Sequence, residues 1–138
     1  MNTPKRKRAN AGVTLIEMLV VVTIIALFAT LVAPNLFKQG DKAKAVAARV
    51  QINNFEQALT QYKLNTGVFP TQEQGLEALR TRPANVNQWE GPYLRKEIPL
   101  DPWNHPYVYK YPGDHGDEPD IICYGGDGLN ADIVNWKN

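Results

Sequence analysis

Gly12-Val13-Thr14-Leu15-Ile16-Glu17-Met18-Leu19-Val20-Val21 is the stretch on which the reading of this 138-residue chain turns. It opens an apolar run: from Met18 to Phe37 no charged residue occurs, and Leu, Val, Ile, Ala and Phe dominate. A helix of that length, at about 1.5 Å per residue, matches a bilayer hydrocarbon core roughly 30 Å thick. Glu17 sits just inside the run, where an acid costs roughly 2.5–3.5 kcal/mol near a helix centre and less near an end. Such a group calls for a cationic partner. Cleavage after Gly12 would create one, the free amine of Val13, which Glu17 of a neighbouring subunit would neutralise in an assembled array. The plainer reading is a glutamate that snorkels to the interface.

Ahead of the run stand Lys5, Arg6, Lys7 and Arg8. The whole chain carries +1, so the rest, without these four, carries −3. Cations abutting an apolar span act as a topology signal that keeps the N-terminus in the cytoplasm and sends the remainder across. A solvated tail or a nucleic-acid arm is the other reading of such a cluster. An ordinary secretory signal is cleaved after its apolar region at small residues. Here the punctuation, Gly12, comes before it, so trimming leaves the apolar segment on the mature chain.

Beyond Phe37 the helical period continues but becomes one-sided. Ala45, Ala48, Ile52, Phe55, Leu59 and Tyr62 recur at steps of three and four, with Lys44, Arg49, Glu56 and Lys63 on other faces. One long helix is predicted from about Val13 to Asn65, stopped by Asn65 and Gly67 and kinked or loosened at Pro34. Its first half, apolar all round, suits lipid or a filament core; its second half must pack on a globular domain. A second helix is expected over Gln72–Arg80, with Thr71 as cap, Gln74 completing a capping box, and Leu76 and Leu79 inward. Pro83–Gly91 reads as loop. Strands are expected at Tyr107–Tyr111 and Asp120–Tyr124, around the turn-rich Pro112–Asp117, with a third near Tyr93–Ile98. The fold class is α+β, helix on a small antiparallel sheet. Cys123, the single cysteine, lies in an apolar run and reads as a small buried hydrophobe.

Basic leader, glycine, hydrophobic residue, Thr-Leu-Ile-Glu and a long apolar tail together resemble the class III signal of type IV pilins and type II secretion pseudopilins. The resemblance implies cleavage by a prepilin peptidase between Gly12 and Val13, N-methylation of Val13, a register-setting role for Glu17, and a helix that loosens around Pro34 on assembly. Val13 stands where the family usually has phenylalanine. Within the soluble part, Tyr62-Lys63-Leu64-Asn65-Thr66-Gly67-Val68-Phe69-Pro70-Thr71-Gln72-Glu73-Gln74-Gly75-Leu76 is similar to the Y-K-x-D-x-G-x-Y-P-T-x-E-Q-G-L signature of the major pseudopilins. Asp101-Pro102-Trp103-Asn104-His105-Pro106-Tyr107 is similar to their D-P-W-G-x-P-Y, with Asn104 replacing a glycine, as the side-chain-bearing residue that best tolerates left-handed backbone. Asp132-Ile133-Val134-Asn135-Trp136 resembles D-I-x-N-W.

That family binds calcium in its C-terminal loop. By resemblance, Asp127 and Asp132 are side-chain ligands, Tyr124 a carbonyl ligand and Asn130 a further one, in a loop shorter than the family's usual version and with Ala131 where a second acid often stands. Calcium takes six to eight oxygens, and a glycine-rich loop supplies them as carboxylates and carbonyls. The alternative is a loop held by Asx turns alone. The EF-hand pattern is absent. Asp114, His115, Asp117 and Asp120 suggest a transition-metal cluster only weakly, since turns collect polar residues anyway. No catalytic-triad pattern is present, and the acidic exported part lacks the basic footprint of a nucleic-acid binder.

The resemblance therefore implies a non-enzymatic structural subunit in three parts: a cleaved leader (1–12), a membrane and filament-core helix (13–37) and a periplasmic domain (38–138). It implies storage in the inner membrane among lipid, homopolymerisation into a periplasmic pseudopilus that drives export of folded proteins, and contacts with minor pseudopilins and the inner-membrane assembly platform. Two alternatives are a type IV pilus subunit, usually longer and with a disulfide Cys123 cannot form, and a single-pass anchored binding domain.

Overall fold

The computed structural model describes residues 12–126 and 132–136. The chain divides into two compact units, Met1–Lys38 and Gln39–Asn138. Helix α1, Leu15–Thr66, contributes to both. From Leu15 to Val32 its Leu, Val, Ile and Phe side chains are exposed on every side. Thr23 and Thr30, the only polar residues between Met18 and Pro34, return their hydroxyls to the carbonyls of Leu19 and Leu27, so neither presents an unpaired donor to an apolar surrounding. The helix runs without interruption through Pro34, whose missing N–H leaves the Thr30 carbonyl without its usual partner.

In the second unit α1 buries one stripe: Ala48, Ile52, Phe55, Leu59 and Tyr62 are almost wholly covered, as the three-and-four spacing requires. Gly67, at φ +85°, ends the helix by donating its N–H to the Lys63 carbonyl at 2.7 Å. The capping box forms as expected, with Thr71 N–H donating to Gln74 Oε1 at 2.9 Å and Gln74 N–H to Thr71 Oγ1 at 3.3 Å. The helix expected over Gln72–Arg80 is nevertheless only a 3-10 turn, Leu76–Leu79, because Gly75 at φ +56° breaks the run between cap and helix. Leu76 and Leu79 point inward.

Three short antiparallel strands follow in the order β1 (Val108–Lys110), β2 (Asp120–Cys123), β3 (Ile133–Val134). Register pairs Tyr109 with Ile121 and Cys123 with Ile133, and all four of these side chains are buried against α1's stripe. Phe55 meets the ring of Tyr107 edge-on at 5.1 Å. The third strand is thus Ile133–Val134; the expectation of a strand at Tyr93–Ile98 fails. That segment spends its donors elsewhere: Tyr93 and Leu94 both give their N–H to the Leu79 carbonyl, and the Tyr93 hydroxyl accepts from Asn65 Nδ2 and Glu90 N–H. Side-chain amides extend the sheet. Gln72 reaches the edge of β1, donating Nε2 to the Tyr109 carbonyl at 2.9 Å and accepting Tyr111 N–H at 2.8 Å. Asn135 does the same for β2, accepting Ile121 N–H and donating to the Pro119 carbonyl. Both devices close edges that strands of two to four residues leave open.

Candidate functional site

Two places carry the residues singled out above. At the first, Gly12, Val13 and Thr14 have irregular backbone and α1 begins at Leu15. Thr14 caps the helix: its Oγ1 accepts Glu17 N–H at 3.3 Å and its carbonyl accepts Met18 N–H at 3.2 Å. Glu17 therefore stands in the first turn, where the helix's unpaired N–H groups favour a carboxylate. Thr14 was missed as a positioning residue, although Thr14-Leu15-Ile16-Glu17 is itself a capping-box pattern before an apolar run. The bond between Gly12 and Val13 precedes the helix, in backbone whose amides no helical hydrogen bond occupies. Both residues are exposed.

The second place is the connection from β2 to β3. Tyr124 is exposed, Gly125 buried at φ +69°, and Asp132 exposed. The Cys123–Ile133 pairing sets Tyr124 and Asp132 on the two arms where the loop leaves the ladder. Asp127 and Asn130 lie outside the described residues. The four named donors are all oxygens, two carboxylates, an amide and a carbonyl, and this chemistry fits a hard divalent cation rather than a soft one. Among the described residues no group of three or more His, Cys, Asp or Glu is gathered closely enough for a metal.

Next to the end of β2 stands the Asp101–His105 turn, known from the sequence only as part of a family motif. Asp101, 3% exposed, opens a tight turn in which Asn104 N–H donates to the Asp101 carbonyl and Asp101 N–H to the His105 carbonyl. Asn104 adopts φ +67°, the left-handed conformation expected of a residue replacing glycine. The Asp101 carboxylate accepts N–H groups from Trp103 at 2.9 Å and His105 at 2.8 Å on Oδ1, and the Cys123 thiol at 3.2 Å on Oδ2. Burial works against its ionisation, but the hydrogen bonds from His105, Cys123 and Trp103 prevail and hold the carboxyl below its ordinary range. Cys123 is buried as expected, and burial followed by the Asp101 bond pushes its thiol up to about 11, which makes it a poor nucleophile.

The polar turn between β1 and β2 is a structural knot. Asp120 Oδ2 accepts Asp114 N–H at 2.8 Å and lies 2.9 Å from His115 Nδ1, while the His115 ring stacks on Trp136 at 3.9 Å. Lys110 pairs with Asp114 across the turn.

Comparison with known proteins accounts for nearly the whole chain. Residues 35–136 match the family model described as type II secretion system (T2SS), protein G, and residues 7–33 match the prokaryotic N-terminal methylation motif. A type II secretion system core protein G from Vibrio cholerae serotype O1 is 43% identical over 142 residues, covering 96% of each chain. Its counterpart from Pseudomonas aeruginosa is 39% identical, covering 96% of this chain and 99% of that one. The crystal structure of the major pseudopilin from the type 2 secretion system of enterohaemorrhagic Escherichia coli superposes with a TM-score of 0.64 at 35% identity, over 75% of this chain and 91% of that one.

Proposed function

Because the chain belongs to the type II secretion system protein G family, the structural pseudopilins of that system, we propose that it is held in the inner membrane by α1 and is recruited from there into a periplasmic pseudopilus. The observation that carries this is α1 from Leu15 to Val32, an apolar surface exposed on all sides and of the kind that lipid or other copies of the same helix would cover. A prepilin peptidase hydrolyses the Gly12–Val13 bond, and the new Val13 amine is methylated. Glu17, capped into the first turn, then meets the cationic Val13 amine of an adjoining subunit, which removes the penalty of carrying a carboxylate into the filament core. Minor pseudopilins and the inner-membrane assembly platform are its other partners. Growth of the homopolymer moves folded cargo toward the outer membrane, and the subunit has no catalytic role.

Calcium belongs to the same reading. Tyr124 (carbonyl), Asp127, Asn130 and Asp132 would hold it, and a bound cation would stiffen the β2–β3 connection. The all-oxygen donor chemistry supports this assignment.

The test is the intact mass and N-terminal sequence of the protein recovered from its native membrane. A chain beginning with methylated Val13 is the expected result. A chain that retains Lys5–Arg8 would replace the polymer with an uncleaved anchored domain.

A further inference from the structure

Gly125 and Gly126 follow Tyr124 at the end of β2, and glycine loses more conformational freedom on ordering than any other residue. This stretch is not left free. The Cys123 thiol, at the end of β2 just before Tyr124, donates to buried Asp101 at 3.2 Å. Three residues on, Gly126 lies so close against the Trp103 indole that a Cβ there would overlap the ring. Trp103 is itself held, its backbone N–H bound to the Asp101 carboxylate. One buried acid therefore anchors Tyr124–Gly126 through two neighbours, Cys123 and Trp103, and neither these nor Asp101 is among the assigned ligands.

We propose that Asp101, Trp103 and Cys123 are positioning residues for the calcium loop: the turn at Asp101–His105 fixes the backbone of Tyr124–Gly126, which carries the carbonyl assigned to the cation, before the cation arrives. This rests on the calcium reading given above. It makes the lone cysteine a connector and not only a filler of the core, and it gives the Asp-Pro-Trp-Asn turn a role in affinity. Groups that orient ligands without touching the metal commonly change affinity by about 10–100-fold when removed.

The experiment uses the full-length chain in detergent micelles, titrated with calcium chloride by calorimetry, with melting temperatures recorded in excess calcium and in excess chelator. The variants are Cys123→Ala, Cys123→Ser and Trp103→Leu. Cys123→Ala and Trp103→Leu are expected to weaken calcium binding about tenfold or more. Cys123→Ser is expected to stay within about threefold of the parent, because a hydroxyl still donates to Asp101. A merely structural role would lower the two melting temperatures equally and leave the calcium affinity unchanged in all three variants, and that result overturns the proposal while leaving the calcium assignment intact. A parent chain that binds no calcium at millimolar concentration overturns both. Should Trp103→Leu fail to fold, the contrast between Cys123→Ala and Cys123→Ser decides the matter alone.

Discussion

Tyr109→Phe removes a single oxygen from the middle of the fold. The Tyr109 hydroxyl, on β1, donates to the Pro70 carbonyl at 2.7 Å, tying the segment that leaves α1 to the sheet across 39 residues of sequence. Pro70 is among the most deeply buried residues, so its carbonyl has no water to turn to when the hydroxyl goes. An orphaned buried acceptor costs about 1–3 kcal/mol. The two bonds Gln72 makes to the same strand survive and hold the geometry, which places the loss near roughly 1–2 kcal/mol. For a folded unit of about 100 residues each kcal/mol moves the melting temperature by about 4–8 °C, so a fall of about 4–16 °C is expected in thermal unfolding followed by circular dichroism. The same substitution has a pH signature. Burial raises the Tyr109 phenol above its ordinary value of 10.0, and raises that of Tyr107 to about 12. A folded-state pKa raised above the unfolded one gives stability that is complete below pH 10 and is lost as pH climbs through the folded value. The parent chain should therefore lose stability from about pH 10 upward, and Tyr109→Phe should lose it less steeply, since one of the raised phenols is gone while those of Tyr62 and Tyr107 remain. Equal melting temperatures and equal alkaline slopes would refute the account of this bond as a buried, unreplaceable contact.

Asn104→Gly should leave stability within a few tenths of a kcal/mol, whereas Asn104→Val at the same φ of +67° should cost about 1–3 kcal/mol, both read from denaturant midpoints. Asp101, whose carboxyl is depressed, stabilises the fold above its unfolded value of 3.8 and loses that contribution as pH falls through the lower folded value. An acid titration of stability should therefore drop below about pH 4 in the parent and drop less in Asp101→Asn; parallel curves would argue against it. Glu17→Ala should insert into membranes as the parent does, because it removes a penalty there, yet fail to assemble filaments; normal filament yield by electron microscopy would dismiss the pairing with the Val13 amine.

The long helix was legible because its signals are local and periodic. An uncharged run, a three-and-four stripe from Ala48 to Tyr62 and a glycine stop each depend on residues within a few turns of one another. The same holds for the Thr71–Gln74 capping box and for Asn104, whose left-handed backbone follows from its residue type. Gly12, Val13 and Glu17 were singled out from an equally local contradiction, an acid inside an apolar run that begins after a glycine.

What local signals could not supply is who uses which donor across the fold. Tyr93–Ile98 has the composition of a strand, yet its first two amides are taken by the Leu79 carbonyl, and the third strand forms instead from Ile133–Val134, a pair too short to announce itself. Glu56 has the spacing of an outward residue, but it is half-buried facing Glu118 and Asn135, and burial, joined by repulsion from Glu118, raises its carboxyl against the lowering pull of Asn135. In the sequence Asp101 stands only within a family motif and Cys123 reads as a hydrophobe; that they are hydrogen-bonded 22 residues apart, next to Tyr124, was decided only by folding. The reason is physical: hydropathy and backbone preference belong to a residue and its near neighbours, whereas the partner of a buried polar group is whatever the packed chain brings within 3 Å, and a buried donor or acceptor must find one.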